Sequence, residues 1–146
     1  MKSMRDRIFI NGTLRDGLLK ECDEKNILGM HLMETKDIFL LAVSLGLNTP
    51  KNIQGKKDGY FLLKNVKAYD LALFASILLG VPDNKNEIDK YANAEINYDE
   101  AERCAESGFE KLKEAINSAG GDKELLEKRT LSELKLLYER NVASNL

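Results

Sequence analysis

A chain of 146 residues, 43% of them apolar, with a formal net charge of −2, has room for one domain with a real core and not for two ordinary ones. The apolar share excludes a disordered chain. The slightly negative balance argues against a protein that coats nucleic acid non-specifically, because such domains are basic overall. No stretch approaches the roughly 18 apolar residues of a membrane span, since the longest, residues 38–47, is broken by Ser44 and Gly46. The opening MKSMRDRIFINGT interrupts its one apolar run with charges, unlike a signal peptide. The expected location is therefore cytoplasmic, with no membrane partner. Cys22 and Cys104 then read as two buried thiols rather than a disulfide.

In chain order, residues 1–12 form an N-terminal arm in which Ile8-Phe9-Ile10 is a brief strand or a tether on the core. A first helix is expected over 13–25, with Thr13 as its cap and Leu14, Leu18 and Cys22 on one face. The segment 27–34 is irregular. A second helix over 35–46 is apolar nearly all round, is stopped by Gly46, and is kept from resuming by Pro50. Residues 48–64 form a loop, with Gly59 to Leu62 a short extended piece. Lys51, Lys56, Lys57, Lys64 and Lys67 face only Asp58 there, making this the one basic region. A third helix over 65–80 is again apolar nearly all round, with Gly80 and Pro82 ending it. Residues 83–96 are polar, with a helical turn near Glu87 to Ala94. The fourth helix, 97–119, repeats Tyr98, Ala101, Ala105, Phe109, Leu112 and Ile116 behind an Asn97–Glu100 capping-box spacing. The last stretch, 123–143, is one helix or two, because Thr130 and Glu133 spell a second capping box. The expected fold is all-α: a single domain, 1–146, of about five helices, with the apolar second and third at its centre.

LAVSLGLNTP (41–50) raises the question of a DNA-reading helix-turn-helix. Ala42 and Gly46 have the right spacing, but the second half fails. The docking positions fall on Asn52 and Gly55, and Pro50 sits where the recognition helix needs a backbone donor. The stretch reads instead as a glycine-ended core helix.

Nothing in the sequence forms a catalytic constellation. His31 has no ligand company at zinc spacing and no orienting partner for general-base work. Neither cysteine has a context that would lower its pKa. GKKDG (55–59) lacks the spacing and the Lys-Ser/Thr ending of a phosphate loop. Asp99, Glu102, Glu106 and Glu110 align at helical spacing, but without a Glu-x-x-His pair they read as a solvated face. No catalytic residue, metal or cofactor is expected. The residues 83–114 carry ten acidic and five basic side chains, so charge is polarised against the five lysines of 51–67, which are candidate contacts to phosphate or an acidic partner.

Three blocks carry a resemblance. ETKDIFLLAVSLGL (34–47), a loop with GYF (59–61) followed by KAYDLALFASILLG (67–80), and AERCAESGFEKLKEAI (101–116) resemble small accessory proteins of DNA phosphorothioation (dnd) systems. It covers roughly residues 34–118. The resemblance implies a non-enzymatic helper beside DNA-modification or anti-foreign-DNA machinery and carries over no catalytic residue. The expected function is a helical interaction or regulatory subunit, with a protein partner or a second copy. The alternative is a DNA-binding regulator using residues 41–67, although nucleic acid is not the favoured partner.

Overall fold

The computed structural model describes residues 5–81 and 86–145, with side chains through Asn141. The first four residues of the arm and Pro82, expected to help end the third helix, lie outside the described residues.

The chain opens with strand β1 (Arg7–Asn11), where Ile8 and Ile10 are buried and their neighbours half-buried, the period-two pattern of a strand on a core. It pairs antiparallel with β2 (Lys57–Leu62), and a register break opposite Ile8 and Phe9 leaves Tyr60 without an opposite number. The extended piece expected over residues 59–62 is therefore a strand that starts two residues earlier, and it takes about a third of the expected basic loop. Asn11, rather than Thr13, caps the next helix: its Oδ1 accepts from the Thr13 N–H at 2.9 Å. Helix α1 (Gly12–Leu14), a π-helical stretch (Arg15–Leu19) and α2 (Lys20–Glu24) follow without a break. They bury Leu14, Leu18, Leu19 and Cys22. Asn26, Leu28 and Gly29 then take positive φ values of 50°, 54° and 75°, and the short 3₁₀ stretch Ile27–Leu32 tucks in Ile27 and Met30.

Helix α3 (Thr35–Leu45) is the centre of the domain, with Phe39 and Val43 wholly buried. Phe39 meets Phe61 of β2 edge-on at 5.4 Å and Phe74 of α4 (Ala68–Leu79) at 5.7 Å. After the short α5 (Ile88–Ala92) come α6 (Ala94–Ala119) and α7 (Lys123–Asn145). The closest partner of α3 is α6. The two backbones touch where a glycine of each helix region lies against the other chain segment. A Cβ on Gly108 would lie 1.7 Å from the Ala42 carbonyl oxygen, and one on Gly46 would lie 1.9 Å from that of Cys104. Ala42 and Gly46 are thus spaced for a helix crossing, and LAVSLG ends a core helix, as its sequence indicates.

The all-α expectation holds: the structure is 71% helical, with seven α-helices and one two-stranded sheet among the described residues. Three local expectations change. Helix α6 starts three residues earlier than Asn97, because the Asn93 side chain accepts from the Ile96 N–H. Asn97 is instead buried, its amide donating to the Tyr91 carbonyl at 3.1 Å. Helix α7 runs unbroken through Thr130, its first turn held by Asp122 Oδ1, which accepts from the Leu125 N–H at 3.0 Å. Helix α4 buries only Asp70, Phe74 and Leu78, so the place beside α3 at the centre is taken by α6, whose small residues Ala101, Ala105 and Gly108 allow close approach.

Candidate functional site

The acidic row of α6 is not a solvated face. Asp99 and Glu110 are exposed or half-exposed, but Glu102 and Glu106 are buried. Glu102 accepts from Arg5 at 2.7 and 3.1 Å and from the Phe9 N–H at 2.6 Å. Glu106 accepts from the Asn11 side-chain amide at 3.2 Å and the Gln54 N–H at 3.4 Å. The Arg5 guanidinium also contacts Glu95 and Asp99 and lies about 6 Å from the rings of Phe9 and Tyr98. Burial is the largest influence on Glu102 and pushes its carboxyl above the ordinary range, against the opposing pull of Arg5 and the Phe9 N–H. The two buried carboxylates therefore clamp β1 and the 48–56 loop onto α6. Among the described residues no three histidine, cysteine, aspartate or glutamate side chains group as a metal site.

The five lysines do not form one patch. Lys51 is paired with Glu110, and its own N–H donates to the Arg103 carbonyl. Lys56 is exposed at the start of β2, and Lys57 lines a shallow pocket with Asp99, Glu102 and Arg103. Lys64 and Lys67 lie beyond the other end of β2. Six residues at about 3.3 Å each put that end nearly 20 Å away. Lys67 instead shapes the start of α4: its N–H donates to Asp70 at 2.8 Å, and Lys36 completes the Asp70 pair at 2.9 Å.

That pairing leaves α4 without a charge on its outer side. Asp70 is the one charged residue in the helix and it is buried. Its solvent-facing positions are Ala68, Tyr69 (67% exposed), Ala72, Leu73 (40% exposed) and Ser76. The Ser76 hydroxyl is turned back onto the Ala72 carbonyl. Beside this face lies an apolar groove of about 320 Å³, walled by Ile77 and Gly80 on one side and by Leu134, Leu137 and Tyr138 of α7 on the other. Tyr138 is 68% exposed, and Leu131, one heptad earlier on the same face of α7, is 67% exposed. A solvated helix normally carries charge on its outer face, so this is the surface with the least explanation in the chain alone.

The chain matches no known protein family, no curated protein and no solved structure. The groove is thus read from geometry alone. Sequence reasoning took the apolar character of α4 as a sign of burial at the centre. The signal it left unused was the capping pair Lys67–Asp70, which fixes the buried side of the helix and turns Tyr69 and Leu73 outward.

The remaining candidates are structural. His31 is exposed, with Nδ1 3.1 Å from Asp23 Oδ1, and its N–H donates to Asn26 Oδ1, closing the irregular loop. Burial pushes the Cys22 thiol up to about 11 and that of Cys104 up to about 12. The thiolate is the reactive form, so both cysteines should resist a disulfide reagent at pH 8 in the folded chain. Both should titrate at once in denaturant. Rapid labelling of either in the native chain would contradict their burial.

Among the described residues no helix is long and apolar enough to cross a membrane.

Proposed function

We propose that this chain is a non-enzymatic helical interaction subunit of a DNA-modification or anti-foreign-DNA assembly. It works in the cytoplasm and meets its partner through the outer face of α4 and the groove beside α7. One observation carries the reading: a twelve-residue surface helix presents two large apolar side chains and no charge to solvent. Apolar patches of this kind mark interaction sites. The setting rests on the resemblance of residues 34–47, 67–80 and 101–116, which are α3, α4 and the middle of α6. Capture of the tagged chain from its native host tests the reading. A component of DNA-modification or restriction machinery should come down with it, and recovery of the chain alone would count against it.

The nucleic-acid reading draws on Lys56, Lys57, Lys64 and Lys67, which are exposed. It is weakened by the Lys51–Glu110 pair and by the carboxylates beside Lys57. Binding through these lysines would fall with salt at a log–log slope of about −0.9 per phosphate neutralised. No measurable duplex binding is expected at low salt. Binding whose slope flattens on replacing Lys56 and Lys57 by Ala would move the function to this region.

A further inference from the structure

The seat of α7 is poorer than the length of the helix suggests. Over residues 123–141 it buries four side chains, Leu126, Thr130, Leu137 and Asn141, and two of them are polar. The Thr130 hydroxyl has no hydrogen-bond partner among the described residues. A helical hydroxyl can satisfy itself on the carbonyl four residues back, as Ser44 and Ser76 do at 2.9 and 2.8 Å. Thr130 does not. Two cavities run along the seam: one of about 290 Å³ beside Leu126, Ile27 and Ile116, and one of about 540 Å³ beside Thr130, Leu45 and Leu112. Two polar ties to α6, Lys111–Glu133 at 3.4 Å and Arg129–Ser118 at 2.7 Å, lie at the surface, where such contacts hold little.

The link to α6 is built to turn. Gly120 and Gly121 take φ values of 59° and 90°, and nothing lies within 4 Å of the Cβ position of either. Beneath α7 lies the 3₁₀ stretch that starts at Ile27, in which Leu28 is held at a φ of 54°. That conformation is strained for leucine and persists only where neighbours enforce it. We infer that α7 is a detachable strap: it swings away as one unit about Gly120–Gly121, baring Ile27, Leu45 and Leu112, while α3, α6 and the sheet stay folded. Moving parts are drawn from such low-stability units. The strap also carries the Leu134, Leu137 and Tyr138 wall of the groove beside α4, so its opening dismantles that groove. This consequence rests on the reading of the groove as a docking surface: a partner bound there favours the closed strap, because it binds only the closed form.

Native-state amide hydrogen exchange of the full, isolated chain in rising sub-denaturing urea reads the strap without any partner. A helix away from its packing is marginal in water, so the amides of α7 exchange once it leaves. Residues 123–141 should exchange at least about a hundredfold faster than 35–45 and 101–112, with a smaller urea dependence, because the opening exposes less surface than global unfolding. Thr130→Val, which keeps the shape and removes the unpaired hydroxyl, should slow residues 123–141 by about tenfold. Leu126→Asp should leave 123–141 unprotected while 35–45 and 101–112 stay protected. Exchange of all three segments together, with one urea slope, would overturn the inference. So would loss of protection throughout the chain in Leu126→Asp, or exchange of 123–141 that is no slower in Thr130→Val. Capture from the host can fail while the strap opens, and a partner can be captured by a chain whose α7 never leaves, so the two failures are separable.

Discussion

Replacing Gly108 by Ala should destabilise the chain by about 3 kcal/mol or more, at or beyond the upper end of ordinary overpacking. From the helix alone the sign would be opposite, since Ala is favoured over Gly in a helix interior by about 1 kcal/mol. The crossing reverses it. The new Cβ would fall 1.7 Å from the Ala42 carbonyl oxygen and 2.9 Å from its Cα, and backbone cannot swing aside as a side-chain tip can. Helices α3 and α6 would have to separate, loosening the contact on which Phe39, Val43 and Phe109 depend. A melting temperature lower by about 10 °C is expected for a domain of this size. Gly17→Ala is the control: nothing lies within 4 Å of its Cβ position, so it should be neutral or mildly stabilising. If both variants melt like the wild type, the α3–α6 crossing is wrong.

Arg5→Ala should cost about 3 kcal/mol near neutral pH, because removing one member of a buried ion pair strands the other. Glu102 would keep only the Phe9 N–H as a donor, in surroundings that already push its carboxyl up. The cost should depend on pH with a definite sign. A carboxyl raised in the folded chain takes up its proton before the unfolded chain does. Its charge therefore costs stability increasingly as pH rises from the ordinary carboxylate range through the raised value. Without Arg5 that raised value moves higher still. The gap between Arg5→Ala and the wild type should be widest at pH 7 and should narrow towards pH 5 in urea titrations. A gap that widens on acidification would show that Arg5 does not act through Glu102.

Local chemistry made most of the helices legible. Periodicity and glycine stops place α3, α4, α6 and α7 within a few residues, and the alternating Ile8 and Ile10 mark β1 as a strand candidate. What the sequence hid was depth. Glu102 and Glu106 lie beside the apolar stripe of α6 and look solvated. They are buried because Ala101, Ala105 and Gly108 let α3 come close on one side, while β1 and the 48–56 loop cover the other. Arg5, their partner, is some 97 residues away in sequence, and no local pattern pairs it with them. The apolar composition of α4 likewise signals burial without saying by what. Phe74 and Leu78 are covered by this chain, whereas Tyr69 and Leu73 are not. The lysines of 51–67 read as one patch only because they are neighbours in sequence; β2 separates them in space.

That α4 and the α7 wall, rather than those lysines, are where this chain meets its partner is tested most directly by amide hydrogen exchange. The comparison is between the tagged wild type, isolated with whatever it brings down, and the Ser76→Arg variant. Exchange across residues 68–79 and 131–141 should be slower in the wild type, with residues 48–57 alike in both. Equal exchange over α4 in the two preparations, with any difference confined to residues 48–57, would contradict the assignment of the interface to α4.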